Sequence, residues 1–164
     1  MKYLFFDIEC CDGVHICEFG YVLIDEQFHI LERDCLTIDP GYKFNLTGRK
    51  RERDMQLAFP EEVYYSSPKF DFYYDRIKAL LTMQDCQIIG FSLSNDTGFL
   101  ATAYELYGKE PIPFTYYDFQ KLYRGYTKAK NKTSVEGFVK ELEIIDIQLH
   151  KSDDDAYAVI KALQ

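Results

Sequence analysis

A run of bulky apolar residues near the amino terminus contains two acids, and it limits how this chain can fold. Residues 3–8 (YLFFDI) show no polar alternation apart from Asp7, so they predict a strand that is buried on both faces. Asp7 and Glu9 are two positions apart, and side chains at that spacing leave a strand on the same face. A solvated edge strand is the alternative interpretation, which the apolar neighbours disfavour. A metal site accounts for both acids better, because carboxylates in such a strand need a partner.

The rest of the sequence predicts an α/β protein with a mixed sheet. Residues 17–24 and 28–38 are strand candidates, and the polar turn between them suggests an antiparallel hairpin. Helix and strand patterns then alternate, which is typical of parallel strands joined by helices. The helix that follows Pro68 is expected to bury Phe72, Ile77, Leu80 and Leu81. The later elements are a strand at 87–91, a helix at 95–107 that Gly108 ends, a strand at 114–117, a helix from Thr133 or Ser134 to Leu142 and a helix at 153–163.

Length and composition set further limits. With 164 residues, the chain is long enough for one domain, residues 1–164, with a proper core. The net charge of −8 argues at first sight against a nucleic-acid partner, but two divalent cations would cancel about half of it. The five cysteines contain no C-x-x-C pair, so the sequence predicts free thiols in a reducing cytoplasm and no structural zinc. No apolar run approaches the length of about 18 residues that a membrane span needs, and no signal-peptide pattern is present, so we expect a soluble cytoplasmic protein.

Two further acidic positions are candidates for the same site. Asp96 begins the helix after the strand at 87–91, where it is either a metal ligand or a first-turn acid that the helix dipole favours. His150 precedes the last helix, whose start carries three acids in a row at 153–155. Such runs are common at helix starts. The spacing from His150 to Asp155 nevertheless lets a base and a ligand point to one centre.

The order and spacing of these motifs resemble those of the DnaQ-like 3′–5′ exonucleases. This family of the RNase H-like superfamily includes the proofreading subunit of bacterial DNA polymerase III. Asp7 and Glu9 match its first motif, Asp-x-Glu on the first strand. Asp96 matches the second motif, in which an acid precedes a helix, and His150 with Asp155 matches the third motif, His-x-x-x-x-Asp. Each motif alone is weak, whereas the ordered set covers nearly the whole chain.

The resemblance implies a fold, a reaction and a cofactor. The fold is an RNase H-like mixed sheet, with three early antiparallel strands and then parallel strands, flanked by helices. The reaction is hydrolysis of phosphodiester bonds from the 3′ end of single-stranded DNA or RNA, which releases nucleoside monophosphates. Two divalent cations, Mg²⁺ or Mn²⁺, are expected about 4 Å apart, with Asp7 between them and with Glu9, Asp96 and Asp155 completing the ligand sets. His150 is expected to be the general base, since imidazole accepts protons near neutral pH.

Departures from the family's pattern affect the substrate contacts. Cys10 and Cys11 stand where family members commonly carry two threonines that meet the 3′-terminal nucleotide. Phe99 is expected near the acids, where its ring could pack against a terminal base. Two basic stretches could contact phosphates, although a solvated loop explains the first one equally well. The candidate residues in these stretches are Arg49, Arg51 and Lys128.

Other functions and partners are compatible with the same residues. A non-catalytic module that binds nucleic acid or protein on the same fold is the main alternative, and loss of one acid would favour it. An endonuclease of the same superfamily is a weaker alternative, because the third motif argues against it. A DNA polymerase or a repair complex is a candidate partner, and a homodimer is another. The sequence does not separate DNA from RNA, or proofreading and repair from RNA trimming.

Overall fold

A five-stranded mixed sheet forms the centre of the fold. The computed structural model describes residues 1–45, 57–127 and 134–164. The strands are β1 (Lys2–Cys10), β2 (Ile16–Asp25), β3 (Ile30–Thr37), β4 (Cys86–Gly90) and β5 (Tyr116–Asp118). Their order in the sheet is β3-β2-β1-β4-β5, with β1, β2 and β3 antiparallel and with β4 and β5 parallel to β1. The predicted mixed sheet is therefore confirmed.

Helices cover both faces of this sheet. The side chains of β1 alternate between two hydrophobic clusters, so that Leu4, Phe6 and Ile8 face one cluster and Phe5 faces the other. By the same alternation Asp7 shares the face of Phe5. The helices are α1 (Glu61–Tyr65), α2 (Phe70–Leu81), α3 (Ser94–Tyr107), α4 (Phe119–Thr127), α5 (Val135–Glu141) and α6 (Ser152–Leu163). Side chains of α2 and α3 pack into the first cluster, and side chains of α4, α5 and α6 pack into the second.

β1 is a central strand that is buried on both faces. It lies between β2 and β4, and Leu4, Phe5 and Phe6 are at most 1% exposed. Bulky side chains on both faces of one strand need an apolar layer on each side, and the two clusters provide these layers. The interpretation of Asp7 and Glu9 as residues of a solvated edge strand is therefore wrong.

The helix after Pro68 forms as predicted, but its buried stripe differs from the prediction. Phe72, which the sequence pattern places in the core, is 72% exposed. α2 begins at Phe70, and the residues four and seven positions after Phe70 share its face toward the sheet. Phe72 lies on the opposite side of the helix. The buried residues of α2 are Phe70, Tyr74, Ile77, Leu80 and Leu81.

The ends of several helices lie at the predicted positions. Gly108 ends α3 in the left-handed conformation, with a φ of 59°. Ser134 caps α5 by accepting a hydrogen bond from the backbone N of Gly137 at 3.0 Å. The prediction does not contain α1 and α4, which have five and nine residues. Within the described ranges, no helix has the length and apolar character that crossing a membrane requires.

Candidate active site

An open cavity of about 720 Å³ lies at the carboxyl ends of β1 and β4. Its described lining contains all five residues that the sequence motifs single out for chemistry, namely Asp7, Glu9, Asp96, His150 and Asp155. They come from β1, from the first turn of α3 and from the start of α6. Ligands of open α/β sheets bind at this edge, beyond the carboxyl ends of the strands. The fold thus brings distant parts of the sequence to one candidate site.

Asp7 and Glu9 reach the cavity because β1 extends beyond its neighbour β4. The parallel pairing of these two strands ends at Phe5 and Ile89, so the following residues of β1 lie past the end of β4. On the other side of β1, Asp7 is paired with Gly20 of β2, which has no side chain to place beside the carboxylate. Both acids therefore face an open volume at the end of a buried strand.

Asp96 connects the first turn of α3 to β1. It is 4% exposed, and its Oδ1 accepts a hydrogen bond from the backbone N of Ile8 at 2.9 Å. Ile8 lies between Asp7 and Glu9, so this bond holds the Asp96 carboxylate beside both acids. Asp96 therefore joins the start of α3 to the central strand.

His150 and Asp155 belong to the turn before α6 and to its first turn. The backbone N of His150 donates a hydrogen bond to Oδ2 of Asp155 at 3.1 Å. Nδ1 of His150 lies 3.9 Å from Oε1 of Glu9, and the His150 side chain is 42% exposed. Asp155, in contrast, is 6% exposed. The turn therefore presents an accessible imidazole next to a buried carboxylate.

Burial and mutual repulsion make these acids difficult to ionise without a cation. Burial, followed by the charge of Asp155, raises the pKa of Glu9 to about 8. Burial raises the pKa of Asp96 to about 7, although backbone hydrogen bonds oppose the change. Burial likewise raises the pKa of Asp155 to about 7. The pKa of Asp7 is raised well above its usual range by burial and by the neighbouring acids. Bound cations would offset both effects.

The donor atoms at this site fit a hard divalent cation. Glu9, His150 and Asp155 each offer one ligand atom, and these atoms lie within 4.8 Å of one another. Oδ1 of Asp155 is buried and has no hydrogen-bond partner among the described residues, so a cation could satisfy it. Carboxylate oxygens dominate the set, and oxygen ligands suit Mg²⁺ or Mn²⁺.

The other two acids at the start of α6 have structural partners on β3. Nε of Arg33 lies 2.7 Å from Oδ2 of Asp153, and Nη2 of Arg33 pairs with Asp154. Of the three consecutive acids, Asp155 is the one in the described lining of the cavity. The three acids of this run therefore lie in two environments, and the role of Asp155 as a ligand stays a prediction.

The predicted substrate contacts that the structure describes lie in two environments. Cys10 and Phe99 line the cavity. Cys11 is fully buried in a separate cluster with Cys17, Phe44 and Tyr64, and it is absent from the described lining of the cavity. The remaining candidates lie outside the described residues, and they are Arg49, Arg51 and Lys128.

Glu18 of β2 is an acid beside the site that the sequence motifs do not identify. It is fully buried and paired in register with Glu9 of β1. The signal for it is the one that identifies Asp7, namely an acid within a strand of apolar residues. Other polar residues of the cavity lining are also not predicted from the motifs, and they are Asp12, Asn45, Ser92, Asn95, Gln120, Ser134 and Glu136.

Solved structures of nucleases share this fold. No protein-family model matches the sequence, and no curated protein matches it. Exonuclease I superposes with a TM-score of 0.80 at 15% identity, over 98% of this chain and 39% of its own. A 3′-exonuclease that recognises the 3′ end of histone mRNA stem-loop gives a TM-score of 0.79 at 14% identity, over 99% of this chain and 62% of its own. Cell-death related nuclease 4 gives a TM-score of 0.76 at 15% identity, over 99% of this chain and 62% of its own.

These comparisons define the class of fold. The mixed sheet and its flanking helices match those of exonucleases with an RNase H-like fold, so this part of the prediction is confirmed. The chain spans about two fifths of exonuclease I and about three fifths of the other two nucleases. Because one fold supports many activities, the reaction has to be argued from the site.

Proposed function

We propose that this chain is a metal-dependent 3′–5′ exonuclease. It would hydrolyse phosphodiester bonds at the 3′ end of single-stranded DNA or RNA and release nucleoside monophosphates. The observation that carries the proposal is the convergence of four acids and a histidine in one open cavity. A module that only binds its partner has no need of several buried carboxylates that repel one another. The fold shared with known exonucleases supports the same conclusion.

The four acids are the proposed holders of two divalent cations, Mg²⁺ or Mn²⁺. When bound, such cations activate a water molecule and neutralise charge on the phosphate that is cleaved. The hydrogen bond from Ile8 already holds the Asp96 carboxylate beside Asp7 and Glu9. The backbone N of His150 holds one oxygen of Asp155 and leaves the other oxygen for a ligand. Backbone hydrogen bonds thus hold two of the four acids, Asp96 and Asp155, in place.

His150 is the proposed general base. Its backbone is tied to Asp155, while its ring borders the cavity and is accessible to water. A neutral imidazole at this position can take a proton from the attacking water and pass it to solvent. Nδ1 of His150 lies 3.9 Å from Oε1 of Glu9, so the ring stands next to the proposed metal ligands.

Single-stranded nucleic acid is the proposed substrate. E. coli exonuclease I is known in complex with a dA16 oligonucleotide, and another neighbour recognises the 3′ end of a histone mRNA stem-loop. The open cavity of this chain has a volume suited to a terminal nucleotide. Phe99 and Cys10, which line it, are the proposed contacts to that nucleotide. The proposed phosphate contacts remain Arg49, Arg51 and Lys128.

A degradation assay with end-labelled oligonucleotides tests this function. Single-stranded DNA and RNA carrying a 5′ label are incubated with Mg²⁺, Mn²⁺ or EDTA. We expect a ladder that shortens from the 3′ end and depends on metal. Asp7→Asn should lower the rate at least about 100-fold, since it removes a ligand of the site. The matched control is Asp75→Asn, which makes the same change at an exposed position of α2 and should leave the rate unchanged.

Two results would contradict the proposal. Absence of cleavage of either polymer with either metal would remove the exonuclease function. Equal loss of activity in Asp7→Asn and Asp75→Asn would show that the effect is not specific to the cavity. Binding of oligonucleotides without cleavage, and without a rise in melting temperature upon metal addition, would favour a non-catalytic binding module instead.

A further inference from the structure

Glu18 is a buried acid that lies beside the candidate site and outside the described lining of the cavity. It lies on β2 directly opposite Glu9 of β1. Its two oxygens are satisfied by hydrogen-bond donors: Oε1 accepts from the hydroxyl of Tyr64, and Oε2 accepts from Cys35 and from Ser152. A fully buried acid that is satisfied in this way serves the surrounding structure.

Ser152 is the first residue of α6 and supplies two of these hydrogen bonds. Its backbone N lies 3.1 Å from Oε2 of Glu18, and its Oγ lies 3.0 Å from the same oxygen. The first backbone N–H groups of a helix have no partner within the helix. Lys151, the N-cap residue of α6, makes no side-chain capping bond in the part of the chain that the structure describes. Glu18 therefore caps α6 from a neighbouring strand.

Gly20 lets α6 approach β2 at the same place. A Cβ at Gly20 would lie 2.0 Å from the backbone N of Asp153 and 2.2 Å from the carbonyl carbon of Ser152. Such contacts are far too short for any residue with a side chain. Glu18 and Gly20 lie on the same face of β2, so one strand gives α6 both an acceptor and the space to dock.

We propose that Glu18 is a positioning residue for the part of the site that α6 carries. Ser152 lies two residues after His150 and three residues before Asp155. The hydrogen bonds between Ser152 and Glu18 therefore determine where the side chains of His150 and Asp155 lie relative to Glu9. The inference rests on the proposed function, because it assigns Glu18 a role in the geometry of the proposed metal site. Glu18 contributes to that site through Ser152 and touches neither metal nor substrate.

Three variants test this role in the metal-free and metal-bound protein. Glu18→Ala removes the acceptor of Ser152. Glu18→Gln keeps an amide oxygen that can accept both Ser152 bonds, while its NH₂ group can donate to the hydroxyl of Tyr64. The control Tyr64→Phe removes another donor to Glu18 and leaves Ser152 in place. The readouts are the affinity for Mn²⁺, from the electron paramagnetic resonance signal of free Mn²⁺, and amide hydrogen exchange at residues 152–155.

We expect Glu18→Ala to weaken Mn²⁺ binding by about 10- to 100-fold, the range typical of residues that orient metal ligands. Amide hydrogen exchange in Glu18→Ala should be faster by at least about tenfold at residues 152–155, with a smaller increase in β1. Glu18→Gln should restore both quantities to within about threefold of the wild type, and Tyr64→Phe should remain close to it. If Glu18→Ala does not fold, Ser152→Ala replaces it, with the same direction of change and a smaller size.

Unchanged Mn²⁺ affinity and unchanged exchange in Glu18→Ala would overturn the proposal. An equally large loss of affinity in Tyr64→Phe would also overturn it, because the effect would then be general destabilisation. For Ser152→Ala, wild-type behaviour in both readouts has the same meaning. If the wild type itself binds no Mn²⁺, the proposed function fails, and the exchange data alone still decide whether Glu18 holds α6.

Discussion

His150 adopts a backbone conformation that residues with a Cβ rarely adopt. Its φ is 63°, in the left-handed region that favours glycine. Residues held in this region cost stability, and they concentrate at functional sites. Here the conformation allows the backbone N of His150 to bond Asp155 while the ring stands beside Glu9. The strain is thus associated with the geometry that the proposed reaction needs.

Replacing His150 with glycine should separate stability from activity. We expect His150→Gly to raise the free energy of unfolding by up to about 1 kcal/mol, because glycine relieves the left-handed backbone. The rate of cleavage should fall at least about 100-fold through loss of the general base. Urea denaturation and the degradation assay measure the two quantities.

The matched control for this prediction is Glu143→Gly. Glu143 is exposed, has a φ of 52° and lies outside the described lining of the cavity. It should show the gain in stability with full activity. A large loss of stability in His150→Gly would contradict the prediction, because the imidazole would then be a structural residue.

The catalytic candidates could be predicted from residue types and spacing, but Cys11 shows where this reasoning fails. Strict alternation along β1 would place Cys11 on the face of Asp7 and Glu9. The pairing of β1 with β2 shifts register between Glu9 and Cys10, and the strand ends there. Cys10 stays in the cluster of Leu4, Phe6 and Ile8 and borders the cavity, whereas Cys11 is buried in a separate cluster. A β-bulge depends on the pairing of two strands, which periodicity along one strand does not reveal.

At the scale of elements, α2 shows how a correct helix can be assigned the wrong buried face. The apolar residues of this segment include two phenylalanines two positions apart, which cannot share a face of a helix. The choice between them depends on where the helix begins and how it lies on the sheet. The structure buries Phe70 to 1% exposure and leaves Phe72 at 72%.

These two phenylalanines form a matched pair for a stability measurement. Phe70→Ala should reduce the free energy of unfolding by about 3–5 kcal/mol, because it leaves a cavity against α3 and the sheet. Phe72→Ala should change it by less than about 0.5 kcal/mol. Urea denaturation of both variants gives the comparison. A similar loss in both would mean that α2 lies on the sheet in a different rotation.

At the scale of the whole molecule, the sheet topology explains why the site collects residues from distant segments. β1 is central, so it has β2 and β4 as neighbours and helices on both faces. The order of the motifs along the chain indicates this arrangement only through resemblance to a known family. The contacts of Glu18 with Ser152 and of Arg33 with Asp153 join segments more than a hundred residues apart. Contacts of this kind can be identified only in the folded structure.

The clustered acids should also make the stability of the metal-free protein depend on pH. Burial raises the pKa of Glu9 to about 8 and the pKa values of Asp96 and Asp155 to about 7. The folded state therefore binds these protons more tightly than the unfolded state. Their contribution to stability is present below pH of about 4 and is lost as the pH rises through 7 to 8. A divalent cation should counteract this loss, because it stabilises the ionised carboxylates.

Thermal melting at pH 5.5 and pH 8, with EDTA or with Mg²⁺, measures this effect. We expect the increase in melting temperature caused by Mg²⁺ to be several degrees larger at pH 8 than at pH 5.5. In Asp7→Asn this increase should be largely lost, and the metal-free variant should be more stable than the wild type at pH 8. If Mg²⁺ raises the melting temperature equally at both pH values, or equally in Asp7→Asn and the wild type, the acids do not act together.

The division of the cavity between residues 7–9 and residues 150–155 has a consequence during translation. A ribosome delivers β1 before α6, because chains grow from the amino end. Until α6 has emerged and docked on β2, Asp7 and Glu9 face no acid from that helix. If the chain is the nuclease proposed, its unfinished form is therefore inactive while it is still tethered beside messenger RNA.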